Sequence, residues 1–387
     1  MLSTSNRMKE INPFYVMSLL SRAGELEREG RDIIHLEIGE PDFISPPAVI
    51  KAGMRSLSSG AIKYTAAAGL PELRSAIAAY YKSHYKLNIP AERIFITPGA
   101  SGALLLALGV LLNAGDQVVM ADPSYPCYRN MVRLFDSEPK LVATGPEEEY
   151  QLNADLIRHQ WEPSSRIVLV ASPSNPTGTI ISSGNLQEIA ALVDSLGGCV
   201  ISDEIYHGLE YESQAQSMLA FSDQALVVNS FSKFFGMTGW RVGWLVVPNR
   251  LIDAVDKLAQ NIFISAPSPS QYAALASFEA DNLTELDRRR LEFKSRRDYL
   301  YSHLTRLGFN TEAKPGGAFY IYADCSRFGM CSSKFTELLL EQNGVALTPG
   351  KDFGVNAPGT HLRFAYTTSS ERIAEAVERL GAFINYL

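Results

Sequence analysis

Residues 230–244 read SFSKFFGMTGWRVGW, and Lys233 and Arg241 are the only charges among them. An apolar setting penalises a charged side chain unless a partner offsets the cost. The stretch therefore points to an amine held partly neutral, as a nucleophile needs, and to a guanidinium with a fixed anion partner. The plainer alternative is two cations that reach water through an apolar loop. Elsewhere, Asp203 closes the run CVISD, Asn175 stands in ASPSNPTG and Tyr125 in ADPSYP, while TPGASGAL (97–104) joins a glycine turn to an apolar helical run. A lysine, a carboxylate, an amide, an aromatic ring and free backbone N–H groups suit a covalently held, anionic, aromatic ligand. Each part also has an ordinary explanation. Asp203 could cap a helix, NPTG is a common turn, TPGASG starts many helices, and Tyr125 could be a core or surface ring.

What positions these groups is an alternation of short apolar runs with helical stretches. RIFIT (93–97), QVVMA (117–121), RIVLVA (166–171), GCVISD (198–203), ALVVNS (225–230) and VGWLVV (242–247) have the character of strands. Residues 101–113 and 184–196 are helix-length segments between them. That alternation predicts an α/β fold whose mainly parallel sheet is flanked by helices, with ligands bound beyond the carboxyl ends of the strands. Asp203, Ser230, Lys233, Asn175, Tyr125 and the 97–104 turn all follow such ends, so a parallel sheet would gather them on one rim. The last third differs. LTELDRRRLEFKSRRDYLYSHLTRLG predicts one long helix whose basic cluster is a solvated face. AFYIYAD (318–324), HLRFAYT (361–367) and an amphipathic helix from 369 then predict a smaller α+β domain.

One ligand uses the whole set: pyridoxal 5'-phosphate. Its aldehyde takes a lysine, its pyridine nitrogen a carboxylate, and its ring an aromatic face. Its phosphate takes hydroxyls, backbone N–H groups and an arginine. Asn175 and Tyr206 could supply neutral donors to its phenolic oxygen.

SFSKFFGMTGWRVGW, SPSNPTG, SDEIY, IGEPDF and KYTAAAGLPELR together resemble the class I/II aminotransferases, pyridoxal-phosphate enzymes of fold type I, from about Asn12 to the C-terminus. The resemblance implies that Lys233 is the covalent cofactor link and that Asp203 pairs with the pyridine nitrogen. It implies Asn175 and Tyr206 at the ring oxygen, Tyr125 stacked on the ring, and Ser230, Ser232, Arg241 and the turn Gly99, Ala100, Ser101 at the phosphate. Tyr64 would reach the phosphate site of a neighbouring subunit, which makes a homodimer the working unit. Arg363 would grip the substrate carboxylate near the Gly39 backbone and Asn175. On its strand Arg363 shares a face with His361 and Ala365, so a solvent-facing arginine is the competing placement. The expected domains are 1–45 as an N-terminal arm and part of the small domain, 46–284 as the large cofactor-binding domain, and 285–387 as the C-terminal small domain.

The reaction so implied is transfer of an amino group from an L-amino acid to a 2-oxo acid with ping-pong kinetics. A carbon–sulfur lyase acting by β- or γ-elimination on the same scaffold is the near alternative. A ligand-sensing transcription regulator is disfavoured, because the chain opens on the arm and carries a net charge of −7 with a pI near 5.5. No nucleic-acid or membrane partner is expected, and no metal site. GxGxxG, HExxH and GxSxG motifs are absent, and the residues before Phe14 lack the apolar core of a signal peptide. Four cysteines without a CxxC pair fit a cytoplasmic chain. The uncharged helix at 101–113 offers no partner to a distal carboxylate, which favours donors with neutral side chains.

Overall fold

The computed structural model describes residues 3–387. Its central sheet has seven strands: β1 (Ile94–Thr97), β2 (Gln117–Asp122), β3 (Glu138–Ala143), β4 (Ser165–Ala171), β5 (Cys199–Asp203), β6 (Leu226–Ser230) and β7 (Gly243–Val246). Their spatial order is β1-β7-β6-β5-β4-β2-β3. All neighbours run parallel except β7, which is antiparallel to both β6 and β1. Two antiparallel steps restore the direction. The carboxyl ends of β1, β2, β4, β5 and β6 therefore share one rim, and β7 enters the sheet from that same rim.

Apolar residues on both faces of the strands explain the burial. Val119, Val168, Val200 and Val227 pack with Trp244 on one side, and Val118, Met120, Ile201, Val228 and Leu245 on the other. Strand β3 was not among the expected strands. It lies at the sheet edge, where Pro139 and Lys140 are tolerated and dilute the apolar pattern.

A second core surrounds the antiparallel strands β8 (Tyr320–Asp324), β9 (Thr348–Pro349) and β10 (His361–Ala365), in the order β9-β10-β8. Phe319, Phe335, Phe364 and Tyr366 fill it. The N-terminal segment joins this part of the molecule, since Ile34–His35 pairs in parallel with Val345–Ala346. Three helices matter for the site: α1 (Tyr15–Arg28), α2 (Gly99–Leu111) and α3 (Ala280–Leu307). No helix of the described residues is long and apolar enough to cross a membrane.

Helix α3 corrects one expectation. Its basic cluster is not simply a solvated face, because Arg289, Arg296 and Arg297 are buried. Arg297 pairs with Glu212 and Asp298, Arg296 with Asp42 at 2.8 Å, and Arg289 donates to the Ile44 carbonyl at 2.7 Å. The Phe43 ring lies against both guanidiniums, 5.0 Å from that of Arg289 and 5.1 Å from that of Arg296. Apart from Asp298 these partners are far away in sequence, so helical periodicity alone could not reveal them.

Candidate active site

Each chemical group reaches the rim by a short local path. Strand β5 ends at Asp203, which is buried; its Oδ2 accepts from Tyr128 Oη at 2.7 Å and its Oδ1 from the Ile205 N–H at 3.1 Å. A turn, not a helix, follows, so Asp203 caps no helix. Burial pushes its pKa up to about 6, with the two hydrogen bonds opposing the shift. Strand β6 ends at Ser230, and Lys233 follows in the next turn. Lys233 is half-buried, and its Nζ donates to the Gly39 carbonyl at 2.7 Å. Burial lowers its pKa to about 8, helped by Arg363 and Arg241 and opposed by Glu40 and Asp203. That is the direction a nucleophile requires.

The antiparallel direction of β7 accounts for Arg241. The chain leaves the sheet at Ser230, turns on the rim and re-enters at Gly243, which pairs with both Ser230 and Thr97. Arg241 is thereby placed next to the first turn of α2. A Cβ on Gly99 would meet Arg241 Nη2 at 2.5 Å, and one on Gly243 would meet the backbone of Asn229, Gly99 and Ala100 at 2.7, 2.9 and 3.0 Å. Only glycine at 243 lets α2 come this close to the sheet. The free N–H groups of the α2 first turn and the Arg241 guanidinium then face the same space.

The remaining wall comes from the second core. Arg363 on β10 is buried, not solvent-facing. Its Nη1 donates to Asn175 Oδ1 at 2.9 Å, and its Nη2 to the Glu37 carbonyl and to Thr348 Oγ1. Its Nε is buried with no acceptor. The guanidinium lies 4.4 Å from the Tyr320 ring and 4.9 Å from that of Phe353. Tyr320 Oη in turn contacts Tyr206 Oη at 2.9 Å. A Cβ on Gly39 would overlap Tyr320 Oη at 1.7 Å, so a glycine is what lets this loop cross the tyrosine.

These groups line one cleft of about 440 Å³ between the two cores. Every site residue expected from the sequence lines it except Gly99, Ser230 and Tyr64. Gly99 packs behind Arg241. Ser230 Oγ is engaged with Ser232 Oγ and the Val242 carbonyl, so it braces the turn and leaves Ser232 to face the cleft. Tyr64 is 80% exposed on the outer surface of this chain. Sequence reasoning missed Tyr128, Tyr320 and Thr348, which hold Asp203, Tyr206 and Arg363. Tyr128 was within reach, since it lies three residues after Tyr125, in the first turn of the helix Cys127–Leu134 that opens at the same rim. Also missed was the apolar wall of Phe14, Val16, Met17 and Leu20 from α1 and of Phe353. Lys233, Arg241 and Arg363 form no ion pair among the described residues; their hydrogen bonds go to carbonyls, an amide and a hydroxyl. Glu37, Glu40, Asp203 and Asp352 line the same cleft without their carboxylates bonding directly to any of the three cations, which leaves the cations' charges available to an anion.

Residues 31–380 match the family model for aminotransferases of class I and II. The chain belongs to that family. This aminotransferase is 40% identical to the valine–pyruvate aminotransferase of Mycobacterium tuberculosis over 97% of each chain. It is 36% identical to the (5-formylfuran-3-yl)methyl phosphate transaminase of Methanocaldococcus jannaschii over 98% of this chain and 99% of that one. The crystal structure of Thermus thermophilus aspartate aminotransferase with maleate covers all of both chains, with a TM-score of 0.93 and 34% identity. The fold is thus that of the fold-type I aminotransferases, and the aminotransferase transfers amino groups; none of these relatives is a carbon–sulfur lyase.

Proposed function

We propose that the cleft binds pyridoxal 5'-phosphate and that the enzyme passes the amino group of an amino acid with an apolar or neutral side chain to a 2-oxo acid. The observation that carries this reading is the convergence of Lys233, Arg241 and Arg363, none of them in an ion pair, on one cleft where the buried Asp203 carboxylate also lies. A phosphate needs Arg241, Ser232 and the α2 first turn. A substrate carboxylate needs the Arg363 fork, whose Nε awaits an acceptor.

When bound, the cofactor supplies an electron-accepting ring that makes the α-proton of an attached amino acid acidic. Lys233 would hold the cofactor, and its amine would move the α-proton; a pKa lowered to about 8 suits both taking and returning it. Asp203 would keep a proton on the ring nitrogen, and Tyr128, through its hydrogen bond, orients the Asp203 carboxylate. Asn175 and Tyr206 would hold the ring oxygen, and Tyr125 would offer the ring an aromatic face. Arg363 and Asn175 fix the substrate carboxylate. No lining cation of this chain then remains for a distal carboxylate, and Phe14, Val16, Met17, Leu20 and Phe353 present apolar surface instead.

The reading extends to a second copy of the chain. Exposed Ile44, Met54, Leu57, Ile62, Tyr64 and Ile264 are 53% to 80% accessible, apolar surface that a second copy could cover. A homodimer that covers them would bring Tyr64 to the partner's phosphate site. Within each copy we take 46–284 as the cofactor-binding domain and 1–45 with 285–387 as the smaller domain.

The test is a half-reaction. Valine added without any oxo acid should release one equivalent of 2-oxo acid per subunit and stop, and pyruvate should restart turnover. Cysteine and cystathionine, which carry a sulfur leaving group that valine lacks, supply the other arm: continuous release of ammonia from them, with no stop, would replace transamination by elimination.

A further inference from the structure

The apolar wall of the cleft rests on a contact between residues 337 positions apart. Helix α1 begins at Tyr15 after Phe14, which provides no side-chain cap. The first N–H groups of a helix have no partner within it, and leaving them unpaired is costly. Here a distant carboxylate takes them. Tyr15 N–H donates to Asp352 Oδ1 at 2.6 Å and Val16 N–H to Asp352 Oδ2 at 2.8 Å. Both oxygens of one side chain are thus spent on one helical end, where the helix dipole also favours a negative charge.

Asp352 is itself held from the central sheet. Arg129 donates to its carbonyl at 2.8 Å, the Ser124 N–H donates to the Phe353 carbonyl at 2.8 Å, and Asp122 Oδ2 accepts from Val355 and Asn356. The Lys351 ammonium sits 4.4 Å from the Tyr15 ring centre. The far half of α1 is anchored differently, by Leu19, Ala23 and Leu26 packed with Ile33, Leu340 and Ala346. At the near end only the partly buried Tyr15 packs against that core. Met17 is exposed there, and Phe14, Val16 and Met17 face the cleft.

We infer that Asp352 is a specificity-determining positioning residue, whose carboxylate sets the first turn of α1 and with it the wall against which the donor's side chain packs. This rests on the proposed amino-acid binding mode. Asp352 lines the cleft at the wall and its carboxylate bonds to none of Lys233, Asp203 and Arg363, so its loss should act on KM for donors that reach the wall and spare kcat for those that do not.

The experiment compares the full-length enzyme with Asp352→Ala and with the near-isosteric Asp352→Asn, using alanine, valine and leucine as donors and amide hydrogen exchange as a second readout. Asp352→Ala should raise KM for valine and leucine about tenfold, the scale of a lost helix cap, while alanine changes less than about threefold and kcat is preserved. Asp352→Asn, which keeps one acceptor, should fall between. Exchange should quicken at Tyr15–Met17 and stay slow near Leu26. Equal KM changes for all three donors, or unchanged exchange at Tyr15 and Val16, would overturn the assignment. If the wild-type chain transaminates none of these donors, the donor-side-chain reading fails and the specificity role with it, whatever the exchange shows.

Discussion

Lys233 owes its lowered pKa chiefly to burial, with its partner Gly39 supplying only a carbonyl. In the cofactor-free protein its amine should react with an amine-selective reagent with a midpoint near pH 8, well below that of exposed lysines. Peptide mapping against pH measures this directly, and borohydride reduction of the cofactor-bound protein should label the same peptide. Asp203 presents the complementary case, a carboxylate whose charge is costly until a cation faces it. Asp203→Ala should still permit cofactor binding and slow exchange of the α-hydrogen with solvent deuterium by several powers of ten, each worth about 1.4 kcal/mol. Tyr128→Phe removes one hydrogen bond to that charge and should slow exchange about tenfold to a hundredfold, in line with about 1.5–3 kcal/mol for such a bond. Exchange at the wild-type rate in Tyr128→Phe would leave Tyr128 a packing residue.

Gly243 carries the argument to the scale of the element, because its missing side chain lets α2 lie against β7. Gly243→Ala forces a methyl into backbone on three sides, so about 1–3 kcal/mol of stability should be lost, visible as a lower urea midpoint, together with weaker cofactor retention. The elements that were legible in the sequence are those with one pattern. Strands β4, β5 and β6 are buried on both faces, so they appear as unbroken apolar runs, and the groups that follow them mark the rim. Strand direction is not written in an apolar run, which is why the antiparallel course of β7 was invisible. The edge strand β3 was hidden by Pro139 and Lys140, and the buried arginines of α3 by partners such as Asp42 and Glu212. Asp203 and Lys233 stood out because their chemistry contrasts with their neighbours; the apolar wall did not, since Val16 and Leu20 look like any helix core.

The whole molecule carries a pH signature through buried groups behind the rim. Glu204 is pushed up to about 8 and Glu210 to about 7 by burial, while burial pushes His207 down to about 3. Glu204 and His207, 3.6 Å apart, are therefore both neutral near pH 7 and form no ion pair. From about pH 4.5 to 8 the folded chain holds a proton on Glu204 that the unfolded chain has released, so this group costs stability as pH rises through that window. From about pH 6.5 down to 3 the unfolded chain takes up a proton that His207 refuses, so stability falls as pH drops. Glu210 adds to the effect of Glu204 up to about pH 7, so His207 offsets only part of it between roughly pH 4.5 and 6.5, and stability should decline through that window and further above it. Glu204→Gln should flatten the decline between pH 6.5 and 8 by about 2 kcal/mol, measured as thermal midpoints across the range. A parallel decline in both proteins would refute the assignment.

Strands β6 and β7 are neighbours, and residues 231–242 are the loop that joins them, closed at its neck by the Phe231 N–H bonded to the Val242 carbonyl at 3.1 Å. Lys233 and Arg241 are thus fastened to the sheet at a fixed chain distance, like two notches on one ruler. Length here is as constrained as residue identity. An insertion scan should show it: a single residue added anywhere in 231–242 should abolish cofactor retention, whereas one added at the exposed turn around Gly197 should be tolerated. Designers who wish to change what this enzyme accepts have freedom of length elsewhere in the chain, and none in this loop.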